Sequence, residues 1–336
     1  MSRYSKQVLF RPLGEEGQKK LGASRVTLVG AGALGSTLAG HLVRAGVGSL
    51  RICDRDFVEL DNLQRQTLYD EEDVRQNLPK AVAAAQKLAR VNSEVRVEPR
   101  VCDVNHANVE ELARDAGVVL DGTDNFETRF VLNDACVKLG KPWVYGGCVG
   151  SYGMVLPVLP GEGPCFTCLL GEMPAPGSSP TCDTAGVLNT AVGVVASLQA
   201  NEALKILAGR REALLPGLQT LDVWTNAFHL VKVPRNPACE TCGARRFRYL
   251  DSGAFGATTL CGRNAVQITP APGARIDLAD AERRLAPLGN VRRNAYLLKL
   301  AVDGCELTLF PDARAIVQGT NDPARARSLY AKYVGA

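Results

Sequence analysis

The stretch RVTLVGAGALGSTLAGHLVRAGVGSLRICD, Arg25 to Asp54, decides the fold. RVTLVG reads as a buried strand, and the glycine-rich turn after it opens a helix that stops near Gly46. SLRIC is the next strand. Gly30, Gly32 and Gly35 form a G-x-G-x-x-G. The first glycine permits a tight turn, the second lets backbone approach a phosphate, and the third lets helix and strand pack closely. The helix start offers N–H groups to an anion. Asp54, 19 residues past Gly35, ends the second strand, where a carboxylate can hold ribose hydroxyls. A glycine turn serving packing alone is the competing reading. The strand–turn–helix–strand context favours a nucleotide.

Working outward, the pattern repeats. PKAVAAAQKLARVN, NVEELARDA and NFETRFVLNDACVKLG read as helices, and EVRVEPRV, GVVLDG and KPWVYGG as strands. Alternating strands and helices predict an α/β fold with a doubly wound, Rossmann-like, mostly parallel sheet. YGMVLPVLP, LQTLDVW and FHLVKVP continue it as antiparallel strands, with a long helix over GVLNTAVGVVASLQANEALKILAG. The first domain spans residues 1–245. Residues 246–336 form a small C-terminal α+β domain: a strand (Thr259 to Ile268), a helix (Leu278 to Leu285), three strands (Ala295 to Val302, Glu306 to Phe310, Ala315 to Gln318) and a helix (Pro323 to Tyr333).

The run DRDFVELDNLQRQ after the second strand exceeds what a dinucleotide needs. An NAD-dependent oxidoreductase carries only a pyrophosphate, whereas Arg65 and Lys80 suit the larger charge of a triphosphate being cleaved. Lys80 opens a helix directly after Pro79. Asp124 and Asn125 end another parallel strand, on the edge where open α/β sheets bind ligands. A carboxylate there suits Mg2+, whose other ligands come from phosphates. Each of these residues alone is more often a surface charge; together they share one cleft.

Two C-x-x-C pairs, Cys165/Cys168 and Cys239/Cys242, stand 70 residues apart. Four thiolates so paired fit a closed, structural Zn2+ site, with redox motifs as the alternative. Cys182, in SPTCDTAG just before the long helix, is a candidate nucleophile or a passive loop thiol. Cys53, Cys102, Cys136, Cys148, Cys261 and Cys305 read as packed apolar residues.

Composition narrows the class. The 336 residues are 46% hydrophobic, as expected of a packed protein, and a net charge of +4 is too mild for nucleic acid. Residues 245–336 alone carry 14 Lys/Arg against 8 Asp/Glu, which suits an acidic partner or a solvated surface. Met1 to Phe10 is polar, so no signal peptide is expected. The longest apolar run, Ala185 to Leu198, is too short for a bilayer, so no membrane partner is expected. The 11 cysteines then suggest a reducing, cytoplasmic setting.

RYSKQ, VGAGALG, DRDFVELDNLQRQ, PK, DGTDN, the two C-x-x-C pairs and TCDTAGV occur in one order. The set closely resembles the ThiF/MoeB/HesA family, bacterial relatives of ubiquitin-activating enzymes, over about Ser2 to Ala244. The tail resembles the extra domain of some ThiF-type proteins. The resemblance implies an adenylyltransferase that uses Mg-ATP to activate the Gly-Gly carboxylate of a ubiquitin-like sulfur-carrier protein, for thiamine thiazole or molybdenum cofactor synthesis. Gly32 would meet phosphate and Asp54 the ribose; Asn62, Arg65 and Lys80 would hold the triphosphate, and Asp124 would manage Mg2+. It also implies a homodimer in which Lys6 reaches the partner's ATP site, and a sulfur donor such as a cysteine desulfurase. Lys6 stands where the family carries Arg, keeping the charge and losing the bidentate fork. Cys182 matches the cysteine that in ThiF-type members bonds to the carrier or handles sulfur. A non-catalytic half of an activating-enzyme pair would need a degenerate phosphate site.

Overall fold

The computed structural model describes residues 3–174, 181–251, 257–260, 264–270 and 274–335, apart from the side chains of Asp183 and residues 257–260. The chain divides into two compact units, Met1–Ser252 and Gly253–Ala336.

In the first unit, α1 (Ser5–Val8) and α2 (Gly14–Gly22) precede β1 (Arg25–Val29), α3 (Ala33–Ala45) and β2 (Ser49–Asp54). Then come α4 (Glu71–Arg75), α5 (Lys80–Val91), β3 (Arg96–Val101), α6 (Val109–Arg114), β4 (Val118–Asp121), α7 (Phe126–Leu139) and β5 (Trp143–Val149). The unit ends with β6 (Tyr152–Val158), α8 (Phe166–Leu170), α9 (Cys182–Ala185), α10 (Asn189–Ala208), β7 (Leu218–Asp222), β8 (Ala227–Val231) and α11 (Arg248–Asp251). Eight strands form one sheet in the order β3-β2-β1-β4-β5-β6-β7-β8. The first five run parallel and the last three are added antiparallel. This is the Rossmann-like α/β sheet with the antiparallel continuation that the sequence predicts.

Connections leave β1 in one direction to β2 and β3, and in the other to β4 and β5. The gap between β1 and β4 is therefore the switch point where such sheets bind ligands. Side chains alternate across the sheet. Val29, Val119, Trp143 and Tyr145 pack on Phe130, Leu132 and Phe166 in one cluster. Gly146 and Gly153 instead face α10, where an added Cβ would stand 2.2 Å from Gln199 and 2.3 Å from Val195. The helix α10 is long and apolar enough to cross a membrane by composition, yet it packs against β4, β5, β6 and α3 as a core helix.

The second unit holds β9 (Ala257–Leu260), β10 (Ala265–Ile268), α12 (Leu278–Leu285), β11 (Asn290–Arg293), β12 (Leu298–Val302), β13 (Cys305–Leu309), β14 (Ala315–Gln318) and α13 (Pro323–Tyr333). Its antiparallel sheet runs β11-β12-β13-β14-β10-β9. Val266, Leu300, Leu307 and Val317 pack on Leu278, Leu285 and Leu329 of the two helices. Two expectations change here. The single strand from Thr259 to Ile268 is two antiparallel strands, with Ala265 paired to Leu260. The strand β11 was not expected, because its sequence NVRR is mostly exposed at the sheet edge and shows no apolar alternation. Cys261 lies outside the described residues.

Candidate active site

The carboxyl ends of β1, β2 and β4 build the cleft. Gly30 leaves β1 with φ +89°, and a Cβ there would stand 2.5 Å from the Gly122 carbonyl oxygen. A Cβ on Gly35 would stand 1.9 Å from the Gly30 oxygen. These two glycines let β1, α3 and the turn after β4 meet backbone to backbone. Gly32 is different. It precedes α3, and the nearest atom to its missing Cβ is Gln66 Nε2 at 3.9 Å. No described residue crowds it, so the open space there suits close approach by a ligand.

Asp54 is anchored on both oxygens. Oδ2 accepts from the Ala31 N–H at 2.6 Å and Oδ1 from the Asp56 N–H at 2.7 Å. Burial pushes its carboxyl upward, opposed by the Lys80 charge. Lys80 is only 2% exposed. Its Nζ lies 3.5 Å from Asp56 Oδ2, and its backbone N–H donates to the Asp56 carbonyl at 2.9 Å. The two segments meet because Phe57 bridges to Pro79 and the Val58 N–H donates to the Leu78 carbonyl. The Tyr69 hydroxyl stands 2.7 Å from the Ala31 oxygen and 3.2 Å from that of Lys80, tying the glycine turn to α5.

Asn62 is buried in a 3-10 turn, donating to Asp61 Oδ1 at 2.8 Å and accepting from the Glu59 N–H at 3.3 Å. Arg65 is half-buried, and its Nη1 donates to the Asp61 carbonyl at 2.7 Å. Asp124 is exposed in the turn after β4. Against burial, Asp103 and Asp56 raise the guanidinium pKa of Arg55 and Asp121 that of Arg129, with Asp124 adding to both. Asn125 caps α7, its Oδ1 accepting from the Thr128 N–H at 2.9 Å. Beneath that turn, buried Arg129 pairs with Asp121 at 3.1 Å and donates to the Thr123 carbonyl at 2.7 Å. Lys6 belongs elsewhere in its own chain. It is exposed on α1, which Gln7 docks on the Ala45 carbonyl at the far end of α3, roughly 20 Å from the glycine turn at helical rise.

The four C-x-x-C sulfurs converge, all within 4.8 Å of one another. Cys165–Cys239 is 3.6 Å, Cys168–Cys242 3.4 Å and Cys165–Cys168 3.9 Å. A tetrahedral ion with sulfurs at about 2.3 Å requires roughly 3.8 Å between them, so the set fits zinc. Adjacent residues of α7 orient both turns. Asn133 accepts from the Phe166 N–H at 2.9 Å and donates to Thr167 at 3.1 Å. Asp134 accepts from the Thr241 hydroxyl at 2.9 Å and from the Tyr249 N–H at 3.0 Å. Cys182 is half-buried at the start of α9, a separate four-residue turn. It therefore does not sit at the N-terminus of the long helix, which begins at Asn189.

The chain is similar to known proteins in sequence and in fold. The ThiF family profile covers residues 4–241. The chain belongs to the ThiF family. It is 47% identical to the sulfur carrier protein ThiS adenylyltransferase of Bacillus subtilis, over 99% of both chains. It is 42% identical to a sulfur carrier protein adenylyltransferase of Thermus thermophilus, over 72% of this chain and 91% of that one. The fold is shared with E. coli MccB, with a TM-score of 0.64 at 22% identity over 72% of this chain and 75% of that one.

Several residues of this ThiF-family site escape a reading by motif. Asp56 and Asp121 lie inside quoted motifs with no role assigned by spacing, while Tyr69 and Arg129 lie outside them; all four hold other site residues through tertiary contacts. Asp134 is the clearest case. Its carboxyl is fully buried, and burial pushes its pKa up from 3.8 to about 6. The native state therefore binds this proton more tightly than the unfolded chain, so ionisation costs stability as pH rises from about 4 to 6. Asparagine keeps both partners, accepting from Tyr249 and donating to Thr241. Asp134→Asn should gain about 1–3 kcal/mol over wild type between pH 4 and pH 8 in urea titrations. A pH-independent difference would contradict this.

Proposed function

We propose that the protein transfers AMP from ATP to the C-terminal Gly-Gly carboxylate of a ubiquitin-like sulfur-carrier protein, releasing pyrophosphate. The carrying observation is Lys80, a buried cation beside the glycine turn with Asp54 and Asp56 as its counter-charges. Such a charge, fixed before substrate arrives, suits the negative charge that shifts onto a leaving pyrophosphate. Full-length similarity to a ThiS adenylyltransferase supports the carrier substrate and favours the thiazole branch of thiamine synthesis over molybdenum cofactor synthesis.

In this reading the carrier carboxylate attacks the α-phosphate. One P–O bond forms, the bond to the β-phosphate oxygen breaks, and the carrier leaves as an acyl-adenylate. Gly32 and the first amides of α3 meet phosphate, and Asp54 meets the ribose. Asn62, Arg65 and Lys80 hold and neutralise the triphosphate. Asp124, with Asn125 beside it, would hold Mg2+, which neutralises phosphate charge when bound. Cys165, Cys168, Cys239 and Cys242 would hold Zn2+ as a structural tie. The protein works as a cytoplasmic homodimer, with Lys6 serving the partner's cleft and a sulfur donor such as a cysteine desulfurase acting next at Cys182. A nicotinamide enzyme gives buried Lys80 and Arg65 no task. A non-catalytic half is disfavoured because Arg65, Lys80 and Asp124 are all present.

Lys80→Ala and Arg65→Ala should each slow carrier-dependent ATP–pyrophosphate exchange by on the order of 10²–10³, about 2.7–4 kcal/mol of transition-state stabilisation. Less than a twofold change in both would overturn these roles. Metal analysis of the purified protein should give one zinc per chain. Less than half an equivalent, with no other metal bound, would sink the four-cysteine zinc assignment.

A further inference from the structure

Cys148 is the penultimate residue of β5, one strand from β4, whose end carries the Asp121–Asn125 turn. Its side chain shares the sheet face of Gly146 and of its cross-strand partner Gly153. Both glycines face α10, so Cys148 is the first side chain beyond a bare strip on that face. The segment before α10 returns just past the end of β5. Gly150 bridges to Val187, with the Gly150 N–H donating to the Gly186 carbonyl at 2.9 Å and the Leu188 N–H to the Gly150 carbonyl at 2.8 Å. This mini-ladder fixes α9 against the end of β5. A capping box between Thr181 and Thr184 holds the turn closed. The Cys182 Sγ then donates to the Cys148 carbonyl at 3.4 Å.

The two thiols are unequal. Both are half-buried, and Cys182 stands on a turn whose Thr184, Ala185 and Gly186 are exposed. Burial, then the neighbouring Cys182, pushes the Cys148 thiol up to about 12. Cys182 therefore lies on the exposed turn, and Cys148 lies on the strand it contacts and is held protonated.

We propose that Cys148 and Cys182 are a dithiol exchange site for disulfides, Cys182 as the attacking thiol and Cys148 as the resolving one. This goes beyond adenylyl transfer and does not rest on it. The Cys182 sulfur attacks a disulfide R–S–S–R; a Cys182–S–S–R bond forms, and one RS⁻ leaves and takes up the Cys182 proton. The Cys148 sulfur then attacks Cys182 Sγ. The Cys182–S–S–R bond breaks, and the second RS⁻ leaves with the Cys148 proton. The protein loses two electrons to the disulfide, two RSH are released, and a Cys148–Cys182 disulfide remains.

The test is exchange of the zinc-loaded full chain with oxidised glutathione, followed by thiol blocking and peptide mass mapping. Wild type should yield the Cys148–Cys182 linked peptide and little glutathione left on Cys182. Cys148→Ser should trap glutathione on Cys182 at least about fivefold more than wild type, because the resolving thiol is gone. Cys182→Ser should give neither product. Absence of the linked peptide in wild type, or equal glutathione on Cys182 with and without Cys148, would overturn the assignment. Unchanged zinc content and circular dichroism establish that the variants fold. If Cys148→Ser does not fold, Cys148→Ala takes its place, and the wild-type linked peptide decides without either.

Discussion

A buried ammonium must be balanced by nearby carboxylates or by ligand, because an uncompensated charge in the interior costs several kcal/mol. Lys80 imposes that constraint on the cleft. Asp56 answers it at 3.5 Å, and the charge of Asp54 also interacts favourably with it. Asp56 can do so only because the chain after β2 folds back onto the start of α5, through the Phe57–Pro79 bridge. That fold-back also brings Asn62 and Arg65 to the same edge of the sheet as Gly32. The proposed phosphate site thus rests on one electrostatic requirement acting on two neighbouring segments.

A second organising element is α7. Its first turn carries Asn125 as cap and Arg129 as the clamp under the Asp121–Asp124 turn. Its later turns carry Asn133 and Asp134, which orient the two cysteine turns. One helix therefore joins the turn after β4 to the cysteine cluster. Its near-continuous burial, with Arg129, Asn133 and Asp134 all inside, gives polar side chains on the core face fixed partners instead of solvent.

What was legible in the sequence follows from range. Gly30, Gly35 and Asp54 act within one βαβ unit, so their spacing reveals them. Lys80 was legible because Pro79 marks a helix start, and the four cysteines because each pair is a local motif. Asp56 and Asp61 stood out in the polar run without a task. The structure gives Asp56 the Lys80 ammonium, and Asp61 the Asn62 amide and the Arg65 guanidinium, contacts that depend on how the loop closes. Arg129 was invisible for the same reason, and Asp121, although it opens DGTDN, had no task until Arg129 was placed beside it. The edge strand β11 was missed because an exposed, polar strand carries no hydrophobic period. Cys148 read as a packed residue, since only the return of the chain at Gly186–Leu188 brings Cys182 over it.

Adenylyl transfer is tested most directly on the product that the carrier becomes. Intact mass of a Gly-Gly sulfur carrier, incubated with the protein and Mg-ATP, should show a carrier population heavier by one AMP. The adduct should form on the order of 10²–10³-fold more slowly when Lys80 is replaced by Ala, and should vanish when the carrier's last glycine is removed. No AMP adduct and no pyrophosphate release with any Gly-Gly carrier, alongside tight binding of NAD in the same cleft, would contradict it.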